Sequence, residues 1–431
     1  MLFLVKKSEL KGSIDIPGNK SGTARSVVFG ALADGVSHIR NPLLNIDSFS
    51  IIKMFRAMGA EIDTSDPREW VIRGVGGKLK QPAQVLDAEN SGTGFYFALA
   101  CASLIEGWTA LTGDYQICYR PAQPMIDAIN AMGGQAFSTR NSGTAPIVVK
   151  GRIKGGEFSM PGVNSQWMTP FLAACALSEG DTVIHEKNLL ERPYVDMTIG
   201  MLKLAGVKVQ NLDYDEFRIS GGQSYKAFDY TLPADWGSSG YPLVAAAITE
   251  GSKVLFKGLD DRDFAGEKAY VDILKAMGAN IHVVDGGRGG ITVEGGAELR
   301  GIEIDCSGTP DAVPALAVLG CRAKGKTVLY NIGACRLKET DRAKSIMAEL
   351  TKMGARLEET SDTLTIHYSD LKGAFIDGRH DHRIVMATSV AAMAAEGPSV
   401  ITDAEFAGVS FPNYYESMKA LGASIDRLQA V

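Results

Sequence analysis

A unit of about 72 residues recurs six times along the chain, and this repetition restricts the possible folds more than any other property of the sequence. An apolar helix-like run that closes on glycine and passes into a β-like stretch appears as FRAMGAEI, INAMGGQA, LKLAGVKV, LKAMGANI, LTKMGARL and MKALGASI. The glycines are Gly59, Gly133, Gly206, Gly278, Gly354 and Gly422, spaced 74, 73, 72, 76 and 68 residues apart. A second series runs in phase with the first: Gly35, Gly107, Gly180, Gly251, Gly325 and Gly397. Each of these follows an apolar helix and leads into a short strand such as TVIHE or TVLYN. Both series suit the left-handed residue that ends a helix. The unit is too long for a solenoid, whose repeats are usually about 20–50 residues. A chain of 431 residues also exceeds one ordinary core. The expected architecture is therefore α/β, with two similar domains of three units each.

Charge and cysteine content exclude several partners. The formal net charge is −6, which argues against nucleic acid or an anionic membrane as the main partner while leaving room for a local cationic pocket. The six cysteines form no C-x-x-C pair, which predicts reduced thiols, a cytoplasmic location and no metal site. No apolar stretch reaches the roughly 18 residues needed to span a bilayer. Met1–Leu10 lacks the order of a signal peptide.

The helices that lead to the second glycine series start in polar segments: GNKSGTAR (18–25), ENSGTG (89–94), VNSQ (163–166), ADWGSSG (234–240), GTPD (308–311) and DHR (381–383). Capping explains part of this, with Ser91 and Ser238 as candidate caps. It does not explain Lys20, Arg25 and Arg383, because cations near a helix N-terminus oppose its dipole unless an anion lies close. These ends are expected to converge on a cleft for anions. RLKETDR (336–342) follows the run TVLYN and admits two readings. It is either a cluster that holds substrate and moves a proton, or a solvated helix start in which opposite charges offset one another.

These segments resemble the 5-enolpyruvylshikimate-3-phosphate synthases. PGNKSGTAR is similar to their PG-x-K-S-x-x-x-R segment, ENSGTG to N-x-G-T, YRP to E/R-R-P and NSQ to S-S/A-Q; RPYVDMT, DWGSS, PDAVPALA, RLKETDR and DHR follow in the family's order. The resemblance implies an enolpyruvyl transferase fold with three βαβαββ units per domain. One domain would be 18–232 and the other 1–17 plus 233–431, with the active site in the cleft between them. It implies transfer of an enolpyruvyl group from phosphoenolpyruvate to a hydroxyl of a shikimate-type acid, with no metal or organic cofactor. Lys20, Asp311, Glu339 and His382 would be catalytic, Glu339 as acid–base at the alkene carbon and Asp311 as base on the hydroxyl. Arg342 and Arg383 would clamp the phosphoenolpyruvate carboxylate, and Arg120, Gly92, Gln166 and Lys20 would surround the rest of that substrate. The acceptor would meet Ser21, Arg25, Asn164, Ser165, Gln166, Glu191, Tyr194, Asp311 and Lys338.

Five positions depart from the family pattern. Tyr96 replaces an arginine, and Gly408-Val409 stand where a lysine is usual, so two cations expected near the phosphate of phosphoenolpyruvate are missing. Asn164 and Glu191 replace serines on the acceptor side, and Ala334 replaces an asparagine. Glu191 would repel an acceptor phosphate unless it turns away or pairs with Arg192, which favours a ring acid without phosphate at position 3. The sister family of UDP-N-acetylglucosamine enolpyruvyl transferases places a cysteine where this chain has Tyr115, and Cys118 is out of register with it. A lyase acting without phosphoenolpyruvate and a non-catalytic paralogue are the remaining alternatives.

Overall fold

The computed structural model describes residues 1–429. The chain forms two compact units, one of Gly18–Leu232 and one of Met1–Pro17 together with the chain from Pro233 onward. Each contains three four-stranded sheets with one common topology. In the sheet ordered Gly156–Pro161, Thr182–Lys187, Glu216–Ile219, Gln210–Leu212, the first pair is parallel and the other two are antiparallel. The other five sheets keep that pattern.

The last sheet explains why the N-terminus belongs with the C-terminal half. After Phe375–Ile376 and Ser399–Ile401 only Ile425–Leu428 remains to the sheet, and Leu2–Val5 supplies the missing strand between the last two. Without it, both neighbours would present unpaired backbone groups. Lys11–Asp15 then pairs in parallel with Lys253–Lys257, so two N-terminal strands are committed to one unit.

Two sets of helices accompany the sheets. Lys20–Leu32, Gly92–Ala102 and Ser165–Ala174 in one unit, and Trp236–Ile248, Val313–Cys321 and His382–Met393 in the other, are buried almost throughout. Their small and apolar residues let them pack against each other within each unit. The partner helices are amphipathic: in Arg342–Lys352, Ala343, Ile346 and Leu350 form the buried stripe.

All six glycines of the first series close a helix in the same way. After Ile46–Ala57, Gly59 has φ 106°, its N–H donates to Arg56 O, and Ala60 N–H donates to Phe55 O. These are the paired bonds of a Schellman cap, and they recur at Gly133, Gly206, Gly278, Gly354 and Gly422. The second series does something different from the expected capping. The helix Gly92–Ala102 is capped at Ser103, and Gly107 opens the strand Gly107–Thr112. These glycines sit in the turn beyond the helix, and Gly180 does not adopt positive φ at all. Among the described residues, no helix is long and apolar enough to cross a membrane.

Candidate active site

In the unit Gly18–Leu232, three buried helices begin with the polar segments. Asn19 caps Lys20–Leu32 by accepting from Gly22 N–H. That leaves Lys20 in the first turn, where its ammonium pairs with Asp47 at 2.7 Å. The anion that offsets the helix dipole is thus a residue of the chain, one the sequence did not single out. Ser21 follows, and its carbonyl accepts from Arg25 Nη1 at 3.2 Å. Arg25 is buried, donates Nε to Thr198 Oγ1 at 2.8 Å and lies over the Phe97 ring. Burial lowers its pKa to about 10, against the opposing pull of Tyr194 and Glu191.

Ser91 caps Gly92–Ala102, as expected. Glycine at position 92 makes room for the buried Arg120, because a Cβ there would run into its Nη1 unless that guanidinium shifted. Gly92→Ala is therefore expected to move the Arg120 guanidinium, detectable as loss of ordered density there in a crystal structure of the variant. Tyr96 is buried and donates its hydroxyl to Pro121 O at 2.9 Å, and the Trp167 indole donates to the same carbonyl at 2.9 Å. The departure from arginine at this position is a neutral side chain bracing the backbone beside Arg120.

Asn164 caps Ser165–Ala174 by accepting from Gln166 N–H, and Gln166 Nε2 donates to Thr93 Oγ1 at 2.9 Å. Glu191 neither turns to solvent nor pairs with Arg192. Its carboxylate is buried and accepts both the backbone N–H and the hydroxyl of Ser165, each at 2.8 Å. Arg192 lies over the Tyr214 ring instead. Tyr194, half-buried, donates its N–H to Glu191 O, so Arg25, Thr198, Tyr194, Glu191 and Ser165 form one connected group.

In the other unit, RLKETDR is a half-buried rather than a solvated helix start, and its opposite charges do offset one another, Arg336 with Asp341 and Arg342 with Glu339. Arg342, only 1% exposed, donates to Asp311 at 2.7 Å, to Asp381 at 2.9 Å and to Glu339. Burial alone would lower its pKa, but Asp381, Glu339 and Asp311 together raise it. Asp311 in turn accepts from Arg383 at 2.9 Å. Burial favours its neutral form, yet Arg383, Arg342 and Lys338 hold its pKa far below the ordinary carboxylate range. Asp381 caps His382–Met393 and also accepts from Thr340, which ties RLKETDR to DHR. His382 is buried beside it. Lys338 is half-buried. Glu339, Asp381 and His382 place three potential ligand atoms within 4.8 Å of one another, but Arg342 already brings a positive charge to two of them.

Capping differs from expectation at two of these starts. Asp235, not Ser238, caps Trp236–Ile248; Ser238 lies inside the helix and donates to Asp235 and to Ser410 O. Asp311 sits in a short 3-10 turn, Pro310–Ala312, ahead of Val313–Cys321.

The model of the family EPSP synthase (3-phosphoshikimate 1-carboxyvinyltransferase) matches residues 4–418. The chain belongs to the EPSP synthase family. It is 42% identical over 425 residues to the 3-phosphoshikimate 1-carboxyvinyltransferase of Acetivibrio thermocellus, covering 99% of each chain. It is 43% identical over 426 residues to that of Ruminiclostridium cellulolyticum, covering 99% of this chain and 100% of the relative. Among solved structures, the EPSP synthase of Acinetobacter baumannii is similar with a TM-score of 0.84 and 30% identity, over 99% of this chain and 100% of that one. The enolpyruvyl transferase NikO of Streptomyces tendae shares the fold, with a TM-score of 0.78 at 18% identity over 100% of this chain and 99% of that one. Family membership thus extends over both units and accounts for the repeated βαβαββ topology.

Proposed function

We propose that this member of the EPSP synthase family transfers the enolpyruvyl group of phosphoenolpyruvate to a hydroxyl of a shikimate-type acid, releasing phosphate. The name of its curated relatives supports 3-phosphoshikimate as the acceptor, and neither the lyase nor the non-catalytic alternative gains support from them. The observation that carries the proposal is the buried cluster of Arg342 and Arg383 on Asp311, with Glu339 on the same guanidinium.

The ring hydroxyl oxygen attacks C2 of phosphoenolpyruvate while C3 takes up a proton, giving a tetrahedral adduct. Removal of a proton from C3 then restores the double bond as phosphate leaves C2. Glu339 is the acid and then the base at C3; Asp311 accepts the hydroxyl proton; Lys20 and His382 stabilise charge at the reacting centre. Locked between two guanidinium groups, Asp311 is a weak base. A substrate carboxylate that takes over Arg342 and Arg383 frees Asp311 from both, so substrate binding itself arms the base. Arg120 and Gln166 receive the phosphate, and Arg25 with Ser21 receives the acceptor's carboxylate. Lys338 reaches the acceptor's far side.

Glu339→Gln and Asp311→Asn are each expected to lose turnover by at least about 100-fold with far-ultraviolet circular dichroism unchanged. Both variants working within a few fold of the parent would overturn the acid–base assignment.

A further inference from the structure

The short segment that carries Lys338 and Glu339 is flanked by Arg336, a residue to which the transfer chemistry gives no task. Every nitrogen of its half-buried guanidinium is engaged. Nε donates to Ser361 O at 3.0 Å, and Nη1 donates to both Asp341 and Glu359 at 3.0 Å. Nη2 donates to Glu359 at 3.0 Å and to Thr360 O at 2.6 Å. Thr360 and Ser361 lie in the turn between the paired strands Leu357–Glu359 and Thr363–His367. That turn also receives Gly333 N–H at Asp362. Asp341 caps the helix Arg342–Lys352: its carboxylate accepts from Lys344 N–H and its carbonyl from Ser345 N–H. The Arg336–Asp341 pair therefore closes the segment 337–340 on itself and fastens it to the hairpin.

We propose that Arg336 is a positioning residue for the transfer reaction: it fixes the segment 337–340, and through it the carboxylate of Glu339 and the ammonium of Lys338. The inference rests on the transfer activity proposed above. The division of charge around the segment supports it. Arg342 takes Glu339, Asp311 and Asp381, whereas Arg336 takes Asp341 and Glu359. The carboxylate that caps the helix and the one that moves protons at C3 thus have different cations. A planar guanidinium reaches the cap, the strand end and two turn carbonyls at once. A lysine would bring the same charge on one nitrogen and could not span them. Proton transfer tolerates little displacement, since moving a reacting group by about 1 Å can cost about 100-fold in rate.

The test compares the full-length parent with Arg336→Lys and Arg336→Gln, using phosphoenolpyruvate and 3-phosphoshikimate. Phosphate release gives kcat and KM, circular dichroism gives the folded fraction and Tm, and hydrogen exchange at the Lys344 and Ser345 amides reports the cap. Arg336→Lys is expected to keep Tm within a few degrees of the parent while kcat falls at least about tenfold. Its KM for phosphoenolpyruvate should stay within about threefold, because Arg342 retains its own carboxylate partners. Arg336→Gln should lose more in kcat, with exchange at Lys344 and Ser345 at least about tenfold faster and exchange in Thr363–His367 unmoved. A residue serving stability alone would leave kcat per folded molecule at the parent's value. Such values within twofold of the parent in both variants, or unmoved exchange at Lys344 and Ser345 in Arg336→Gln, would overturn the inference. Should Arg336→Gln fail to fold, Arg336→Lys carries both readouts. Failure of the transfer activity is distinguished by a parent that itself releases no phosphate. Exchange then decides alone: faster exchange at the cap upholds Arg336 as the anchor of the segment, and unchanged exchange overturns it.

Discussion

Replacing Arg342 with methionine is expected to lower the unfolding free energy of its unit by about 3–5 kcal/mol, the scale for removing one partner of a buried ion cluster. The guanidinium donates to Asp311, Glu339 and Asp381, and Asp381 is completely buried. Without it, three carboxylates face one another with Arg383 and Lys338 as the remaining cations acting on Asp311. The sign of the pH dependence follows. In the parent, the depressed pKa of Asp311 contributes stability that is present above the ordinary carboxylate range and is lost only in strong acid. In the variant, Asp311 keeps Arg383 and Lys338 but loses Arg342, so its carboxyl is less strongly depressed, and the defect is present at neutral pH and shrinks only in strong acid. Urea denaturation at neutral and at acid pH, with hydrogen exchange followed in His382–Met393, measures both effects. A loss below about 1 kcal/mol that does not vary with pH would mean the cluster is not held by Arg342.

The second large effect concerns a carboxyl that the proposed chemistry does not use. Glu186 lies on the strand Thr182–Lys187, is 3% exposed, and has no hydrogen-bond partner at either oxygen. Burial pushes its pKa up to about 8. The folded protein therefore retains a proton that the unfolded chain sheds at the ordinary glutamate pKa. Stability contributed by this group falls as pH rises from the unfolded value to about 8, and is flat beyond it. Between pH 5.5 and 8.5 the parent is expected to lose about 3 kcal/mol relative to Glu186→Gln, which cannot ionise. Parallel denaturation curves of the two proteins at both pH values check this. Equal pH dependence would show that Glu186 titrates normally and has found a partner.

The repeat was legible because its glycines serve a local need: a Schellman cap demands φ above zero wherever an amphipathic helix ends, so all six copies retain it. Gly107 and Gly180 were harder to read. A glycine in a turn toward a strand answers to its surroundings, and the sequence carries no mark of whether the helix has already been capped upstream. At the site, Lys20, Arg25 and Arg383 were legible as cations placed against a helix dipole. Their partners were not. Asp47 sits on a different helix from Lys20, and only the packing of the two helices brings the charges together. Asp381 was within reach, since DHR places it directly before the helix it caps and Arg342 needed a buried anion. Glu191 looked like an intruder among serines. Its bonds to Ser165 show how the fold accommodates it, and that depended on a left-handed backbone that no side-chain pattern signals.

Enolpyruvyl transfer itself is tested most directly by the mass of the product. Incubating the protein with phosphoenolpyruvate and a shikimate-type acid should yield the acid bearing one carboxyvinyl group, with one phosphate released per acid consumed. An acid that instead loses water while phosphoenolpyruvate remains untouched would contradict the transfer and establish a lyase on the same scaffold.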